Sequence, residues 1–285
     1  MQIIDGKALA DSVLTEAKNR IINDSLSPRL DIILIGNNIA SKVYVSKKIE
    51  AAQSIGVEVT VHEFDDLSED ALIDLIKKLN DDILVNAIIV QLPIPDFDPT
   101  NAISHISPRK DVDGLNPFSL GKLWQGSGYS LVPATALAVL SSIEHVARSN
   151  NMSLEEYLRG KNALIINRSV IIGKPVAALL LNNNATVTIA HSKTQDLNTL
   201  LKQADIVISG TGQAGFITGD KIKQDAVIID TGFNKNDEGM WGDVDNDSVA
   251  SKASWVSPVP GGIGPLGVAM LISNTVEAAS IQITL

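Results

Sequence analysis

Tyr44 and Lys48 stand four residues apart in Tyr44-Val45-Ser46-Lys47-Lys48, and on a helix that spacing puts a phenol and an amine on one face. Such a pair can handle protons. The competing reading makes Val45, Ile49 and Ala52 the buried stripe, with Tyr44 and Lys48 at its margin and the lysine in solvent. A second chemical stretch, Lys110-Asp111-Val112-Asp113-Gly114, sets two carboxylates beside a basic residue. Asp and Gly also favour turns for backbone reasons, so a plain turn competes there with a ligand-binding role. Arg168 and His191-Ser192-Lys193 supply cationic and hydroxyl donors suited to a phosphate.

The elements that must position these groups alternate. An amphipathic helix is expected over residues 5–22, then a buried strand over 30–35 and the Tyr44/Lys48 helix, capped by Ser41 and ended by Gly56. A strand over 57–64, a helix over 69–79 and a strand over 87–92 follow, implying a parallel sheet whose working edge lies beyond the carboxyl ends of its strands. Gly36 and Gln91 fall at that edge. Residues 93–133 read as loop-rich, and a helix over 134–146 leads to a second domain.

In that domain, strands over 163–166, 186–190, 206–209 and 226–230, separated by helices or loops, describe a doubly wound nucleotide-binding sheet. Asn167 stands where the glycine fingerprint would begin, leaving only Gly173. The end of the second strand carries no carboxylate for a ribose hydroxyl, and its His-Ser-Lys with Arg168 suits a 2′-phosphate, which predicts NADP over NAD; an incidental basic turn is the competing reading. Near the C-terminus, Pro258-Val259-Pro260-Gly261-Gly262-Ile263-Gly264-Pro265 fixes a backbone able to approach a flat ligand, or else serves as a linker. An apolar helix over 268–279 follows and is expected to pack back on the first domain.

Composition excludes several classes of function. The 285 residues are 45% apolar and 20% charged, as in a globular chain with room for two cores. A formal charge of -10 with 4% aromatics argues against a nucleic-acid partner. There is no cysteine, and His62, His105, His145 and His191 lack ligand spacing, so no metal site is expected. No apolar run approaches a membrane span and no targeting segment is evident, so a soluble, cytoplasmic protein is expected.

In the order Gly36 through Ala40-Ser41, Tyr44-Val45-x-x-Lys48, Gln91-Leu92-Pro93, Lys110 to Gly114, Arg168-Ser169, Gly173-Lys174-Pro175, His191-Ser192-x-Thr194, Gly242-Asp243-Val244-Asp245 and the Pro-Gly loop, the chain resembles the methylenetetrahydrofolate dehydrogenase/cyclohydrolase family. The resemblance covers nearly the whole chain. It implies a three-layer α/β catalytic domain over 1–138, completed by 262–285, and a Rossmann-like NADP-binding domain over 139–261, with a cleft between them. It further implies NADP-dependent oxidation of methylenetetrahydrofolate to the methenyl form, hydrolysis of that cation to formyltetrahydrofolate, and a homodimer through the second domain.

By position, the resemblance makes Lys48 the acid/base, has Tyr44 stack or hydrogen-bond beside the reacting centre, makes Gln91 the group that orients Lys48, and has Asp113 hold the pterin. Leu92, Pro260, Gly261 and Gly262 complete the substrate site. Asn167, Arg168, Ser169 and Ser192 belong to the NADP site, with Phe233 as an apolar contact. A lysine serving as base near neutrality must fall from about pKa 10.4, a shift worth ~4 kcal/mol, expected to come from the substrate cation, an apolar wall and the hydrogen bond with Gln91.

Some positions depart from the family pattern. Ala134, Ala136 and Ala138 stand for Cys, Pro and Gly, Asn167 for the first Gly, Gly267 for Thr, and Thr231 and Phe233 for Val and Ile. The alternatives are a two-domain dehydrogenase of a small acid, and a divergent paralogue that binds folate or dinucleotide with one activity or neither.

Overall fold

Five of the seven residues of the strand Arg29–Ile35 are apolar, because both faces of its sheet are covered. It is the centre of a three-stranded parallel sheet, between Glu58–Phe64 and Ala87–Val90. Leu30, Ile32 and Leu34 pack with Val45 and Ala52 of the helix Ile39–Ser54 and with Leu271, Ile272 and Val276. Ile33 and Ile35 alternate with them and meet Leu72, Ile76 and Leu79 of the helix Glu69–Asp81. The strand's period of two thus feeds two helical layers, giving the expected three-layer arrangement. Asp31 is fully buried in this strand. Arg29 Nε at 2.9 Å and His62 Nε2 at 2.8 Å compensate its charge.

The protein is described here as a computed structural model over residues 1–126, 131–236 and 239–283. A second sheet has six strands, all parallel, in the order Gln2–Ile3, Trp255–Val256, Val227–Asp230, Ile206–Ser209, Asn162–Ile166 and Thr186–Ala190. Its four central and edge strands end in register, with Ile166 opposite both Ala190 and Ser209, and Ser209 opposite Asp230. Their following loops therefore leave one common edge.

Two compact units result, Met1–Ala10 with Thr135–Gly267, and Asp11–Ala134 with Val268–Leu285. The first residues cluster with the six-stranded sheet rather than with the three-stranded one. Gln2 and Ile3 pair with Trp255 and Val256, which ties the first residues to the six-stranded sheet. A two-residue strand is too short to show periodicity in sequence.

Three further expectations change in detail. The helix holding Tyr44 and Lys48 begins at Ile39, and its cap is Asn38, whose side chain accepts from the Ser41 amide at 3.1 Å; Ser41 is buried inside the first turn. Gly56 follows the helix in the left-handed region at φ 91°. Residues 93–133 are not all loop. Asn116 caps the helix Pro117–Gln125, where proline fits because a first-turn N–H has no helical partner. For the same reason Pro265 lies within the first turn of the terminal helix, Ile263–Ile283.

Candidate active site and dinucleotide-binding loops

Lys48 and Gln91 meet because the helix after one strand overlooks the end of its neighbour. Gln91 follows Ala87–Val90, and its amide donates to Ile33 O at 2.8 Å, which fixes it at the carboxyl edge of the sheet. Lys48 Nζ donates to Gln91 Oε1 at 2.9 Å. Gln91 Nε2 donates to Leu92 O at 2.7 Å, so its oxygen must face the lysine. Tyr44 sits one helical turn before Lys48, half-buried, and burial raises its phenol pKa. The stripe Val45, Ile49 and Ala52 faces the core. The competing reading of this helix is right about the core stripe, but the lysine is drawn into protein rather than left in solvent.

Burial is the main reason the Lys48 pKa is lowered, and the nearby charge of Asp113 opposes it. Burial likewise raises Asp113, and Lys48 opposes that. Both groups are thus shifted toward their neutral forms. One expectation is corrected here: the bond with Gln91 does not lower the lysine, because an oxygen that accepts from an ammonium favours the charged state. Gln91 aims the amine, and desolvation lowers its basicity.

Asp113 is delivered by a chain segment added beside the sheet. Ile88 donates to Lys110 O at 2.7 Å, and Asp111 bridges Ile88 in parallel fashion. Lys110, buried, donates from Nζ to Leu79 O, Asn80 O and Asp82 O at 3.0, 2.7 and 2.8 Å, closing the carbonyl end of the helix Glu69–Asp81. Asn274 of the terminal helix donates from Nδ2 to Val112 O and Val132 O, each at 2.9 Å. The stretch is a turn and also a platform that holds the Asp113 carboxylate near Lys48. Neither Lys110 nor Asn274 was legible as a support, since their partners are carbonyls distant in sequence.

Asp111 is buried, and Oδ2 accepts from the Asn116 amide at 2.6 Å while Oδ1 has no partner among the described residues. Burial, partly offset by that amide, raises its pKa from 3.8 to about 7. Because the folded pKa exceeds the unfolded one, folding takes up a proton between these values, and the associated stability is lost as pH rises from about 4 to 7. Asp111→Asn is expected to flatten that slope and to raise stability at pH 8 by about 1–2 kcal/mol, after the orphaned amide hydrogens are counted against it. Urea denaturation at pH 5 and pH 8 checks this; an unchanged slope refutes it.

In the other unit, Asn167, Arg168 and Ser169 follow Asn162–Ile166, and Ser192 follows Thr186–Ala190; Arg168 and Ser192 are exposed. Each lies two residues past the paired positions Ile166 and Ala190, so guanidinium and hydroxyl leave the same edge. The Asn167 side chain ties two loops, donating to Gly210 O at 2.7 Å and accepting from the Ser169 amide at 2.8 Å. This departure from glycine is therefore accommodated, with its polar atoms already engaged within the protein. The helix Gly173–Asn182 has no side-chain cap, which suits an anion at its N-terminus. Phe233 is exposed beyond Val227–Asp230. These groups fit a phosphorylated dinucleotide. Pro260, Gly261 and Gly262 also lie in this unit, where the Gly262 amide donates to Pro258 O at 2.8 Å, while Tyr44, Lys48, Gln91, Leu92 and Asp113 lie together in the first.

A parallel-sheet unit with dinucleotide-binding loops, joined in one chain to a unit presenting a half-buried lysine beside a carboxylate, defines a two-domain α/β protein of the cofactor-dependent type. Comparison with known proteins specifies it. Residues 4–113 match the tetrahydrofolate dehydrogenase/cyclohydrolase catalytic domain, and residues 133–283 match the NAD(P)-binding domain of the same family. The chain belongs to the tetrahydrofolate dehydrogenase/cyclohydrolase family. It is 43% identical over 283 residues to the bifunctional protein FolD of an Exiguobacterium species, covering 98% of each chain. The crystal structure of the bifunctional enzyme FolD from Campylobacter jejuni superimposes with a TM-score of 0.92 at 36% identity, covering 99% of each chain. The Trypanosoma brucei enzyme, solved with NADP and an inhibitor, gives 0.90 at 33% identity over 99% of this chain and 98% of that one.

Proposed function

We propose that the chain catalyses two consecutive steps on one folate: NADP-dependent oxidation of methylenetetrahydrofolate to methenyltetrahydrofolate, and hydrolysis of that cation to formyltetrahydrofolate. The observation that carries this reading is the Lys48–Gln91 pair beside Asp113, in a chain whose halves match both domains of the family. Such one-carbon units feed purine synthesis. NADP, when bound, supplies the hydride acceptor.

The chain's own residues do the rest. Asp113 holds the pterin through its amide-like edge, Tyr44 shapes the site, and Leu92 with Pro260, Gly261 and Gly262 lines the substrate. Oxidation leaves a resonance-stabilised cation and asks mainly for positioning. Hydrolysis asks for more, because water must lose a proton as it adds and a C–N bond must then break. A Lys48 amine with lowered basicity can take that proton. Arg168, Ser169 and Ser192, with no carboxylate in His191-Ser192-Lys193 directly after the second strand, support NADP over NAD, Asn167 supports their turn, and Phe233 offers an apolar face. A paralogue without turnover is less well supported, since every proton-transfer group of the pattern is retained.

Two coarser features complete the proposal. A homodimer is expected from family membership, to be checked by mass in solution. A cytoplasmic setting without nucleic-acid partners is proposed, in keeping with the charge of -10; among the described residues no helix is long and apolar enough to cross a membrane. The test mixes purified protein, methylenetetrahydrofolate and NADP and follows methenyl and NADPH absorbance. No signal with NADP or NAD overturns the reading. Methenyl that accumulates and persists would mean a dehydrogenase without hydrolysis.

A further inference from the structure

We infer that Asp243, none of whose hydrogen-bond partners is assigned to either ligand, is a positioning residue that sets the shape of the NADP-binding loops. The inference rests on the reading of this unit as the NADP site. Asp243 lies in Gly242-Asp243-Val244-Asp245, a stretch with no role so far, and it is fully buried. Among its described contacts there is no cation; its charge is met by donors alone. Oδ2 accepts from Ser209 Oγ at 2.8 Å and the Thr211 amide at 2.5 Å, and Oδ1 accepts from the Gln213 amide at 3.1 Å and Asn234 Nδ2 at 3.5 Å.

Ser209 ends the strand Ile206–Ser209 with Thr211 and Gln213 in the loop after it, and Asn234 opens the short strand Asn234–Asn236 that follows Val227–Asp230, all at or beyond the edge where a parallel sheet of this kind receives its dinucleotide. Asp230 holds Asp243 in turn, accepting from the amides of Gly232, Asp243 and Val244 at 2.8, 3.1 and 2.9 Å. The loops close tightly on both carboxylates. A Cβ on Gly232 would lie 2.2 Å from Asp243 Oδ1, and one on Gly242 1.9 Å from Asp230 Oδ2. Gly232 directly precedes Phe233, and Thr231 Oγ1 donates to Ser209 O at 2.7 Å, so the same knot places the apolar cofactor contact. A buried charge is expensive unless fully bonded, and here its bonds go to the backbone that a cofactor would meet.

The arrangement separates the two activities, because hydrolysis uses no NADP. Asp243→Asn keeps volume but offers one acceptor oxygen, so whichever way the amide turns, two donors lose their partner. The expected result is a rise in KM for NADP of about tenfold or more, with kcat at saturating NADP and the rate of methenyl hydrolysis each retained within about twofold. Ser209→Ala, which removes a single donor, should raise the same KM about threefold and stands in if the first variant does not fold. Asp205→Asn is the control, because Asp205 accepts from the Asn162 amide at 2.9 Å, at the opposite end of the strand, and should leave the NADP KM unchanged. Unchanged NADP KM in both test variants, or equal loss of both activities in folded protein, overturns the inference. Absence of NADP turnover in the unsubstituted protein would instead overturn the underlying function.

Discussion

Replacing Lys48 with Met is expected to slow methenyltetrahydrofolate hydrolysis by about 10²–10⁴-fold, while part of the dehydrogenase activity survives. Methionine keeps the length and the apolar stem, so the helix Ile39–Ser54 and its core contacts through Val45 and Ala52 should stand. What disappears is the one amine that Gln91 aims at the site. In the proposed mechanism hydride loss needs alignment, which Tyr44 and Asp113 would still give, whereas water addition would lose its proton acceptor. A second variant separates base from charge. Lys48→Arg retains a cation but not a group that deprotonates near neutrality, so hydrolysis should fall as far as in the methionine variant. In the unsubstituted protein, hydrolysis should rise with pH through the burial-lowered lysine pKa, and that limb should vanish in both variants. Equal loss of oxidation and hydrolysis, with folate still bound, would sink this division of labour.

The residues legible from sequence are those whose partners are set by local period and strand-end position. Lys48 follows from Tyr44 by one turn, and Gln91 follows from the end of Ala87–Val90, so topology alone brings them to one edge. The alternation of Leu30, Ile32 and Leu34 with Ile33 and Ile35 likewise announces a sheet covered on both faces. The rest depends on contacts without a period. Asp243 meets Ser209 across 34 residues and Asn274 meets Val112 across 162, and neither has a neighbouring pattern that marks it. Asn274 stands between the core residues Leu271, Ile272 and Val276, but Ser273, Thr275 and Glu277 lie beside it in the same helix, so its type alone does not single it out. The direction of the Lys48 shift was readable, and so was an apolar wall as one source of it; the share assigned to Gln91 was not, because a sequence shows that glutamine can bond lysine and not which charge state that bond favours.

Replacing Asn274 with Leu is expected to destabilise the protein by about 2–5 kcal/mol, since it strands two buried carbonyls at about 1–3 kcal/mol each. Asn274 is 5% exposed, and its one amide group holds Val112 O and Val132 O. Leucine fills a similar volume and suits the helix, so the loss isolates those two bonds from any cavity. Val112 adjoins Asp113, so the carboxylate should lose its fixed place and KM for folate should rise in both reactions. Asn274→Asp is expected to do worse at pH 8, because a carboxylate would set its oxygens against the same two carbonyl oxygens. Its deficit should shrink as pH falls and the acid gains a proton to donate. Urea midpoints at pH 8 and pH 5 for both variants, with folate KM values, decide the matter. A loss below about 1 kcal/mol in the leucine variant would show that the Asp113 platform is held by Lys110 and the bridge to Ile88 without the terminal helix.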